Sequence, residues 1–426
     1  MLNHTHSSST SLTTLRAATQ STRRRRRPLF RLGMLASVAV LAWTIGGGAP
    51  AHSAPQGSGY VALGDSYASG VGAPPYASGT DVKDGNGCKR AAGAYAHQVA
   101  GQTGKALDFG ACAGARTSDF YQPRTSWNEP AQLDRLNAST SLVTFSIGGN
   151  DAGFSTIFSK CVTAAPFSTC SGNKEVSEQV DGAIDALAAK TTRAGITSYD
   201  TLMADIASRA PGATIVAVGY PHMFTSQGAG QVLPVPGRCE GVTKVDQRWI
   251  NAKTNELNAA AKAAAQRHGQ RFVDPSGSFA GHELCGQQSS WFDGLIEDGR
   301  FHPNADGHKA MASSVMGALN TQEQEAAQEQ PAAAQAQVNN TRPTGSFTLT
   351  RDGDQLALDA SASTDTDGAI ASVDWYVQHA DGTEEVLTGA RATTTVSADE
   401  QAVVTAVITD NQGKETFSSQ VSPAAG

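Results

Sequence analysis

The stretch of the chain that decides its fold is Val61-Ala62-Leu63-Gly64-Asp65-Ser66-Tyr67-Ala68-Ser69-Gly70. The three apolar residues at its start are typical of a short buried strand, and Gly64 follows them at a turn. Ser66 comes directly after that turn. Because a parallel α/β sheet displays reactive groups at the carboxyl ends of its strands, the sequence places a serine where a nucleophile would be expected.

Similar strand patterns continue along the chain and alternate with helical ones. Leu142–Ile147 and Ala213–Val218 are nearly all apolar, which is typical of strands buried on both faces of a sheet. Apolar residues at helical spacing predict helices over Glu178–Lys190 and Trp249–Gln266, and Arg271–Asp274 returns to strand. This alternation predicts an α/β domain.

Residues 1–51 are expected to be a signal peptide. Five arginines, Arg23–Arg27, precede the apolar stretch Leu35–Trp43, and Ala49-Pro50-Ala51 then offers small residues to a signal peptidase. The apolar stretch is shorter than the ~20 residues that span a bilayer, so we expect no stable membrane insertion. Export by the general secretory (Sec) route and by the twin-arginine route both stay open.

The composition of the chain changes after Leu319. Residues 320–342 are mostly Gln, Glu and Ala, which is typical of a linker. Residues 343–426 carry short runs that roughly alternate in period two between turn residues, and they predict a small all-β sandwich of about 80 residues. These runs are Phe347–Thr350, Gln355–Leu358, Val373–Val377 and Val404–Ile408.

Charge and cysteine content narrow the class of protein. Lys and Arg total 32 against 39 Asp and Glu, a net charge of -7, whereas a nucleic-acid surface needs clustered positive charge. The six cysteines all follow the signal peptide, and an even number in an exported chain indicates disulfides. No Cys-x-x-Cys pair occurs, so we expect no metal, and nothing in the sequence calls for a cofactor.

A serine becomes a nucleophile only beside a base, and His302 is the strongest candidate for that base. It is distinguished from the other nine histidines by its position in a loop, Gly299–Asn304, just before an amphipathic final helix. The strand at Leu142–Ile147 ends in Gly148-Gly149-Asn150-Asp151, where an amide can aim donors at a developing oxyanion. Gly110–Arg116 is a further turn of small residues through which a backbone N–H can approach a substrate.

Each of these signals alone fits an ordinary turn or a satisfied histidine, but together and in this order they resemble the SGNH (GDSL) hydrolase family. Gly64-Asp65-Ser66 matches the nucleophile block of that family and Gly114 its glycine block. Gly148–Asp151 matches the Gly-x-Asn-Asp block, and His302-Pro303-Asn304 matches the histidine block. The resemblance is to the actinobacterial secreted lipases and esterases.

The resemblance implies a fold and a set of roles for residues 58–319. The fold would be a flavodoxin-like three-layer α/β/α sandwich with a parallel sheet. Ser66 would be the nucleophile and His302 the general base of ester hydrolysis. The oxyanion hole would consist of the backbone N–H groups of Ser66 and Gly114 and the side-chain amide of Asn150.

The histidine block departs from the family in one respect. The family usually has Asp three residues before the histidine, where this chain has Gly299. Either a main-chain carbonyl orients His302 or Asp298 does so through a shifted turn, and we favour the carbonyl, because the third group has only to fix the orientation of the imidazole and stabilise the imidazolium.

Three other residues carry weaker catalytic signals. Asp65 and Asp151 are interpreted as turn residues that hydrogen-bond to position Ser66 and Asn150, not as an acid pair. His282 lacks the Pro-Asn context of the histidine block. We therefore do not assign it as the base.

The resemblance and the short loops predict that the cysteines pair with their sequence neighbours. The expected disulfides are Cys88 with Cys112, Cys161 with Cys170, and Cys239 with Cys285. The C-terminal region resembles a PKD-like (Ig-like) domain in Asp359–Gly368 and Thr409–Gly413, but it departs from that family at Trp375–Gly382. A plain spacer and a binding module are both consistent with this partial match.

We therefore expect a secreted, extracellular serine esterase or lipase that acts as a monomer on small-molecule, lipid or acylated-polymer esters. One alternative is a carbohydrate acetyl esterase of the same fold, with the C-terminal domain in contact with a polymer or surface. A second alternative, a non-catalytic binding protein, gives no reason to retain Ser66, Asn150 and His302 together. A chain-length series of p-nitrophenyl esters beside acetylated xylan and phospholipid distinguishes the substrate classes.

Overall fold

The computed structural model describes residues 59–163, 168–228, 238–320 and 340–423. The expected signal peptide, residues 1–51, lies outside the described residues, as do residues 321–339 of the expected linker. In the described part of the chain, no helix is both long enough and apolar enough to cross a membrane.

The N-terminal part contains a five-stranded parallel sheet in the order β2-β1-β3-β4-β7. Its strands are β1 (Tyr60–Gly64), β2 (Leu107–Phe109), β3 (Leu142–Ser146), β4 (Thr214–Val218) and β7 (Arg271–Val273). A separate two-stranded ribbon consists of β5 (Arg238–Cys239) and β6 (Val242–Thr243). All five residues of β1 and of β3 are buried, as expected for central strands covered on both faces.

Helices pack in two groups around this sheet. They are α1 (Ser66–Ser69), α2 (Tyr95–Thr103), α3 (Phe154–Val162), α4 (Lys174–Ala188), α5 (Tyr199–Arg209), α6 (Lys244–Arg267) and α7 (Ala305–Asn320). Helix α2 packs on α7, while α4 and α5 pack on α6. The expected three-layer α/β/α architecture is confirmed.

The predicted helices are present, but two begin earlier than the apolar spacing indicated. Helix α4 starts after Asn173, whose side chain accepts the Val176 N–H, and α6 starts after Thr243, whose side chain accepts the Asp246 N–H. These polar caps satisfy first-turn N–H groups and so extend each helix beyond its apolar stripe.

The C-terminal part contains two antiparallel sheets, in the orders β11-β10-β13-β14 and β12-β9-β8. The strands are β8 (Thr348–Asp352), β9 (Gln355–Asp359), β10 (Ile370–Gln378), β11 (Glu384–Thr388), β12 (Arg391–Thr395), β13 (Val403–Asp410) and β14 (Glu415–Val421). Trp375 is fully buried in the core of this all-β region. The predicted β-sandwich is confirmed, although β11, β12 and β14 were not predicted, because these strands bury few of their side chains.

All three predicted disulfides are confirmed: Cys88–Cys112, Cys161–Cys170 and Cys239–Cys285. The first joins the loop after α1 to the turn that contains Gly114. The third joins the β5–β6 ribbon to the segment before the His302 loop. The disulfides therefore stabilise loops beside the carboxyl edge of the sheet.

Candidate active site

Ser66 begins helix α1 immediately after β1, and two local features fix this sharp transition. Gly64 has φ +125°, and a Cβ there would overlap the carbonyl oxygen of Ser146, so only glycine fits at the end of the strand. Asp65 caps α1 through its Oδ1, which accepts the Tyr67 N–H at 3.0 Å. Ser66 itself is half-buried, with its hydroxyl directed at His302.

His302 comes from the loop before α7. The Oδ1 of Asn304 accepts the N–H groups of Asp306 and Gly307, at 3.0 and 3.2 Å, and so caps the start of that helix. The Nε2 of His302 lies 2.8 Å from the Ser66 Oγ, although the two residues are 236 positions apart. The structure thus brings together the two residues that the sequence singled out as nucleophile and base.

The other ring nitrogen of His302 faces backbone oxygens. Its Nδ1 lies 2.9 Å from the Gly299 carbonyl oxygen and 2.7 Å from that of Arg300. Among the residues that the structure describes, no carboxylate is hydrogen-bonded to His302. Burial lowers the pKa of the imidazole, while the two carbonyls raise it in part.

The structure leaves no space for a side chain at position 299. A Cβ at this position would overlap the Asp293 carboxylate and lie 2.6 Å from the Gly72 Cα. An aspartate therefore cannot occupy the position three residues before His302 in this loop. The close backbone approach is therefore compatible with glycine at this position and not with a larger residue.

Asn150 and Gly114 belong to two loops that contact each other. The Asn150 Nδ2 donates to the carbonyl of Ala115 at 3.0 Å, and Gly114 lies in an open, exposed turn with φ +71°. Asp151 accepts the N–H and the hydroxyl of Thr117, at 3.0 and 2.9 Å, in addition to a backbone hydrogen bond within its own residue. Its carboxylate therefore ties the asparagine loop to the glycine loop.

Arg124 holds the glycine loop, and sequence reasoning missed it because arginine has many surface roles. Its guanidinium donates to the carbonyls of Ala113 and Gly114, at 3.0 and 2.7 Å. An ion pair with Asp119, 2.8 Å from Nε to Oδ1, fixes its orientation. The planar guanidinium has several N–H donors and can therefore hydrogen-bond to two neighbouring carbonyls at once.

The remaining candidates have structural partners. The Asp65 Oδ2 accepts the hydroxyl of Tyr220 at 2.6 Å, and burial raises the pKa of Asp65 to about 7. The His282 ring stacks on Trp291 with centroids 3.8 Å apart, and its Nδ1 lies 2.8 Å from the Ser289 carbonyl. These contacts support the interpretation of Asp65 as a turn residue and leave His282 outside the Ser66–His302 pair.

A row of aromatic rings borders the site. Phe154 and Phe158 lie one turn apart on α3 with ring centroids 6.4 Å apart, and Phe158 stacks on Phe301 at 4.8 Å. Phe154 also meets the edge of Tyr220 at 6.4 Å. Because Phe301 precedes His302 directly, this row forms an apolar wall beside the histidine loop.

A three-layer α/β/α fold with a serine, a histidine and an asparagine on the loops after its parallel strands defines a class, the SGNH-type ester hydrolases. The chain belongs to the GDSL-like Lipase/Acylhydrolase family, whose family model matches residues 62–310.

Comparisons with individual proteins agree with this assignment. A lipase of Streptomyces rimosus is 34% identical over 266 residues, which cover 61% of this chain and 87% of that protein. Lipase 1 of Streptomyces coelicolor is 33% identical over 286 residues, covering 65% of this chain and 94% of that protein. The solved phospholipase A1 of Streptomyces albidoflavus NA297 is 32% identical, with a TM-score of 0.50 and coverage of 62% of this chain and 98% of that one.

Proposed function

We propose that Ser66 and His302 form the catalytic dyad of a secreted esterase or lipase. The observation that carries this proposal is the position of His302 between an oxygen nucleophile and two carbonyls. Its Nδ1 faces only acceptors, at 2.9 and 2.7 Å, so the ring proton of the neutral imidazole belongs on Nδ1. That tautomer leaves the Nε2 lone pair free to take the Ser66 proton across 2.8 Å.

The reaction has two stages. As the Ser66 Oγ forms a bond to the ester carbonyl carbon, its proton passes to the His302 Nε2, and the imidazolium is stabilised by the carbonyls of Gly299 and Arg300. The tetrahedral intermediate then collapses, the C–O bond to the alcohol breaks, and His302 returns the proton to the departing oxygen. Water, activated by the same histidine, hydrolyses the acyl-enzyme and releases the carboxylic acid.

Ser66, Gly114 and Asn150 would supply the oxyanion hole. The proposed donors are the backbone N–H groups of Ser66 and Gly114 and the amide of Asn150. One N–H of the Asn150 amide is held by the Ala115 carbonyl, so the other is oriented without further cost. Donors fixed before the reaction need no reorganisation when the negative charge develops.

The aromatic wall favours esters with an apolar acyl chain as substrates. Phe154 and Phe158 are half-buried and keep part of their rings accessible beside the histidine loop. Burial of such apolar surface against a hydrocarbon chain is favourable and strengthens binding, whereas an acetyl group is too short to contact the aromatic rings. This preference separates a lipase or longer-chain esterase from the alternative, a carbohydrate acetyl esterase.

Extracellular action and a monomeric state belong to the same proposal. Three disulfides are consistent with folding in an oxidising compartment, and the family relatives include a lipase whose solved structure is described as extracellular. The β-sandwich would then act as a spacer or contact a polymer or surface.

Kinetics of the purified protein test the dyad. Ser66→Ala should abolish hydrolysis of p-nitrophenyl esters and His302→Ala should nearly match it, because residues that act as one unit lose most of their effect together. His282→Ala is the matched control and should leave turnover unchanged. If either dyad variant kept more than about a hundredth of wild-type activity, the mechanism would be wrong.

The substrate preference has its own test. kcat/KM should rise along p-nitrophenyl acetate, butyrate, octanoate and decanoate, and Phe158→Ala should flatten that rise. Release of acetate from acetylated xylan at a higher kcat/KM than the longest p-nitrophenyl ester would favour the carbohydrate esterase instead.

A further inference from the structure

The residues proposed for catalysis lie on three separate loops, and the relative positions of these loops must be fixed for the reaction to be fast. Ser66 follows β1, Asn150 follows β3, and His302 precedes α7. A displacement of about 1 Å between reacting groups can cost ~10²-fold in rate. The side chains that join these loops are therefore candidates for a role in turnover, and two tyrosine hydroxyls make such connections.

Tyr220, on the loop after β4, joins the serine loop to the asparagine loop. Its hydroxyl donates to the Asp65 Oδ2 at 2.6 Å and accepts the Gly149 N–H at 3.0 Å. Asp65 and Gly149 are the residues immediately before Ser66 and Asn150. The other oxygen of Asp65 accepts the Tyr67 N–H at 3.0 Å, so the carboxylate also fixes the first turn of α1.

The backbone of Tyr220 is itself held in place by a side chain of helix α6. Asn258 on α6 accepts the Tyr220 N–H and donates to its carbonyl, both at 2.9 Å. Tyr220, Asp65 and Asn258 are all buried, at 5%, 1% and 4% exposure. A hydrogen bond in such a dry site keeps its geometry because water does not compete for it.

Tyr67 joins the serine loop to the histidine loop. Its hydroxyl donates to the Phe301 carbonyl at 2.9 Å, and its ring centroid lies 5.1 Å from that of His302. Phe301 has φ +60°, a left-handed conformation that is costly for a residue with a side chain and persists only where its surroundings hold it. Its N–H is also bound, to the Asp293 carbonyl at 2.8 Å.

The two tyrosines also contact each other, edge to face, with centroids 5.1 Å apart. Burial raises the pKa of both phenols, and the nearby Asp65 raises it further, so both hydroxyls stay protonated and can donate. The tyrosines thus form one connected unit that touches all three loops.

We propose that Tyr67 and Tyr220 are positioning residues for ester hydrolysis, acting through the hydrogen bonds of their hydroxyls to Phe301, Asp65 and Gly149. Neither has to touch the substrate. The inference rests on the proposed function, because it assigns to both residues an effect on the Ser66–His302 pair and on the oxyanion hole. A purely structural role would affect stability without a specific effect on turnover.

Tyr60 provides the matched control. It is fully buried in β1, and its hydroxyl makes a 2.7 Å hydrogen bond with Thr144 inside the sheet, away from the three loops. Tyr60→Phe therefore removes a buried tyrosine hydrogen bond of the same kind without touching the site. It should lower stability about as much as the other two substitutions.

The experiment compares Tyr67→Phe, Tyr220→Phe and Tyr60→Phe in the full chain. kcat and KM are measured on p-nitrophenyl butyrate, with the active-site concentration titrated by diethyl p-nitrophenyl phosphate. We expect kcat to fall by roughly tenfold to a hundredfold in the first two variants with KM within about threefold, and to stay near wild type in Tyr60→Phe. Affinity for a trifluoromethyl ketone, which mimics the tetrahedral intermediate, should fall with kcat.

Three results overturn the proposal. If Tyr67→Phe and Tyr220→Phe lose stability but keep wild-type kcat, or if Tyr60→Phe loses as much kcat as they do, the hydroxyls are structural only. If Ser66→Ala itself stays active, the proposed dyad and the positioning role fail together. An inactive Ser66→Ala beside fully active tyrosine variants refutes the positioning role alone.

Discussion

At the scale of single residues, the histidine loop depends on a position with no side chain. The backbone at Gly299 approaches both Asp293 and Gly72, and the Gly299 carbonyl faces the His302 Nδ1. Asp298, the nearest acidic residue before His302 in the sequence, makes no hydrogen bond to His302 among the described residues. Substitution of Gly299 should therefore lower kcat more than substitution of Asp298.

Asp298→Ala should lower kcat by less than about tenfold, whereas loss of the acid in a Ser-His-Asp triad can cost ~10⁴-fold. Gly299→Ala should be the more harmful change, with a loss of at least about tenfold, because its methyl group would displace the loop that orients His302. Steady-state kinetics measure the loss of kcat in each variant, and circular dichroism shows whether the variant is folded. A loss near ~10⁴-fold for Asp298→Ala would make Asp298 the third member of a triad.

Asn150→Ala tests the oxyanion hole at the same scale. We expect kcat to fall by ~10²- to 10³-fold, the usual loss for one oxyanion donor. Asp151→Asn, which keeps one of the two acceptor oxygens toward Thr117, is the control for damage to the loop contact and should cost less. A change confined to KM would assign Asn150 to ordinary substrate binding.

At the scale of elements, the last residue of β1 forms two backbone hydrogen bonds with a side chain and not with a neighbouring strand. The Gln132 side chain accepts the Gly64 N–H at 2.7 Å and donates to the Gly64 carbonyl at 2.9 Å. Gln132 is buried, so its amide completes the backbone bonding of β1 at the point where the chain turns to Ser66.

Gln132→Ala should therefore lower the free energy of unfolding by about 1–3 kcal/mol, the cost of leaving the buried Gly64 N–H without a partner, because the Gly64 carbonyl still accepts the Cys112 N–H at 2.9 Å. Urea unfolding followed by circular dichroism measures the change. Gln98→Ala, which removes a single 3.3 Å bond to Gly93 at a partly exposed position, should cost much less. Equal losses in the two variants would contradict the role of Gln132.

At the scale of the whole molecule, buried charges join the β-sandwich to the helices of the α/β part. Arg248 on α6 pairs with Glu384 at 2.6 Å and lies 4.1 Å from the Tyr376 ring centroid. Arg342, just before the sandwich, pairs with Glu256 on the same helix. These side chains are only 5 to 12% exposed where they pair, so the contacts are shielded from water.

Removal of residues 320–426 should leave turnover of a soluble p-nitrophenyl ester nearly unchanged, because all four family blocks lie before Leu319. Stability should fall, since truncation removes the contacts that cover this face of α6. In the intact chain, removal of one partner of a buried ion pair costs about 3–5 kcal/mol, because the other charge stays buried. Arg342→Met tests one such pair, and Arg391→Met, whose partner Asp359 is exposed with it, is the control that should cost at most ~1 kcal/mol. Unfolding curves and initial rates are the measurements.

Loss of activity on the soluble ester after truncation would show that the sandwich completes the site. Loss only on an insoluble or polymeric ester would make the sandwich a targeting module. Unchanged stability in both the truncated chain and Arg342→Met would show that the ion pairs contribute nothing.

The α/β class, the three disulfides and the residues to examine in the site could all be predicted from the amino-acid sequence. Buried strands, helical spacing and the blocks at Ser66, Asn150 and His302 are local signals, and each can be read within a few residues. Even the missing aspartate at Gly299 was visible. What the sequence left open there was which group orients the histidine.

The hydrogen-bond partners that connect these blocks could be identified only in the folded chain. Gln132 and Gly64 are 68 residues apart, and Tyr220 and Asp65 are 155 apart. A hydrogen bond between side chains so distant leaves no periodicity in either segment, because it depends on how strands and loops meet in space. The sequence favoured a main-chain carbonyl as the partner of His302, but which carbonyls fix its tautomer, those of Gly299 and Arg300, depends on the conformation that the loop adopts in the folded chain.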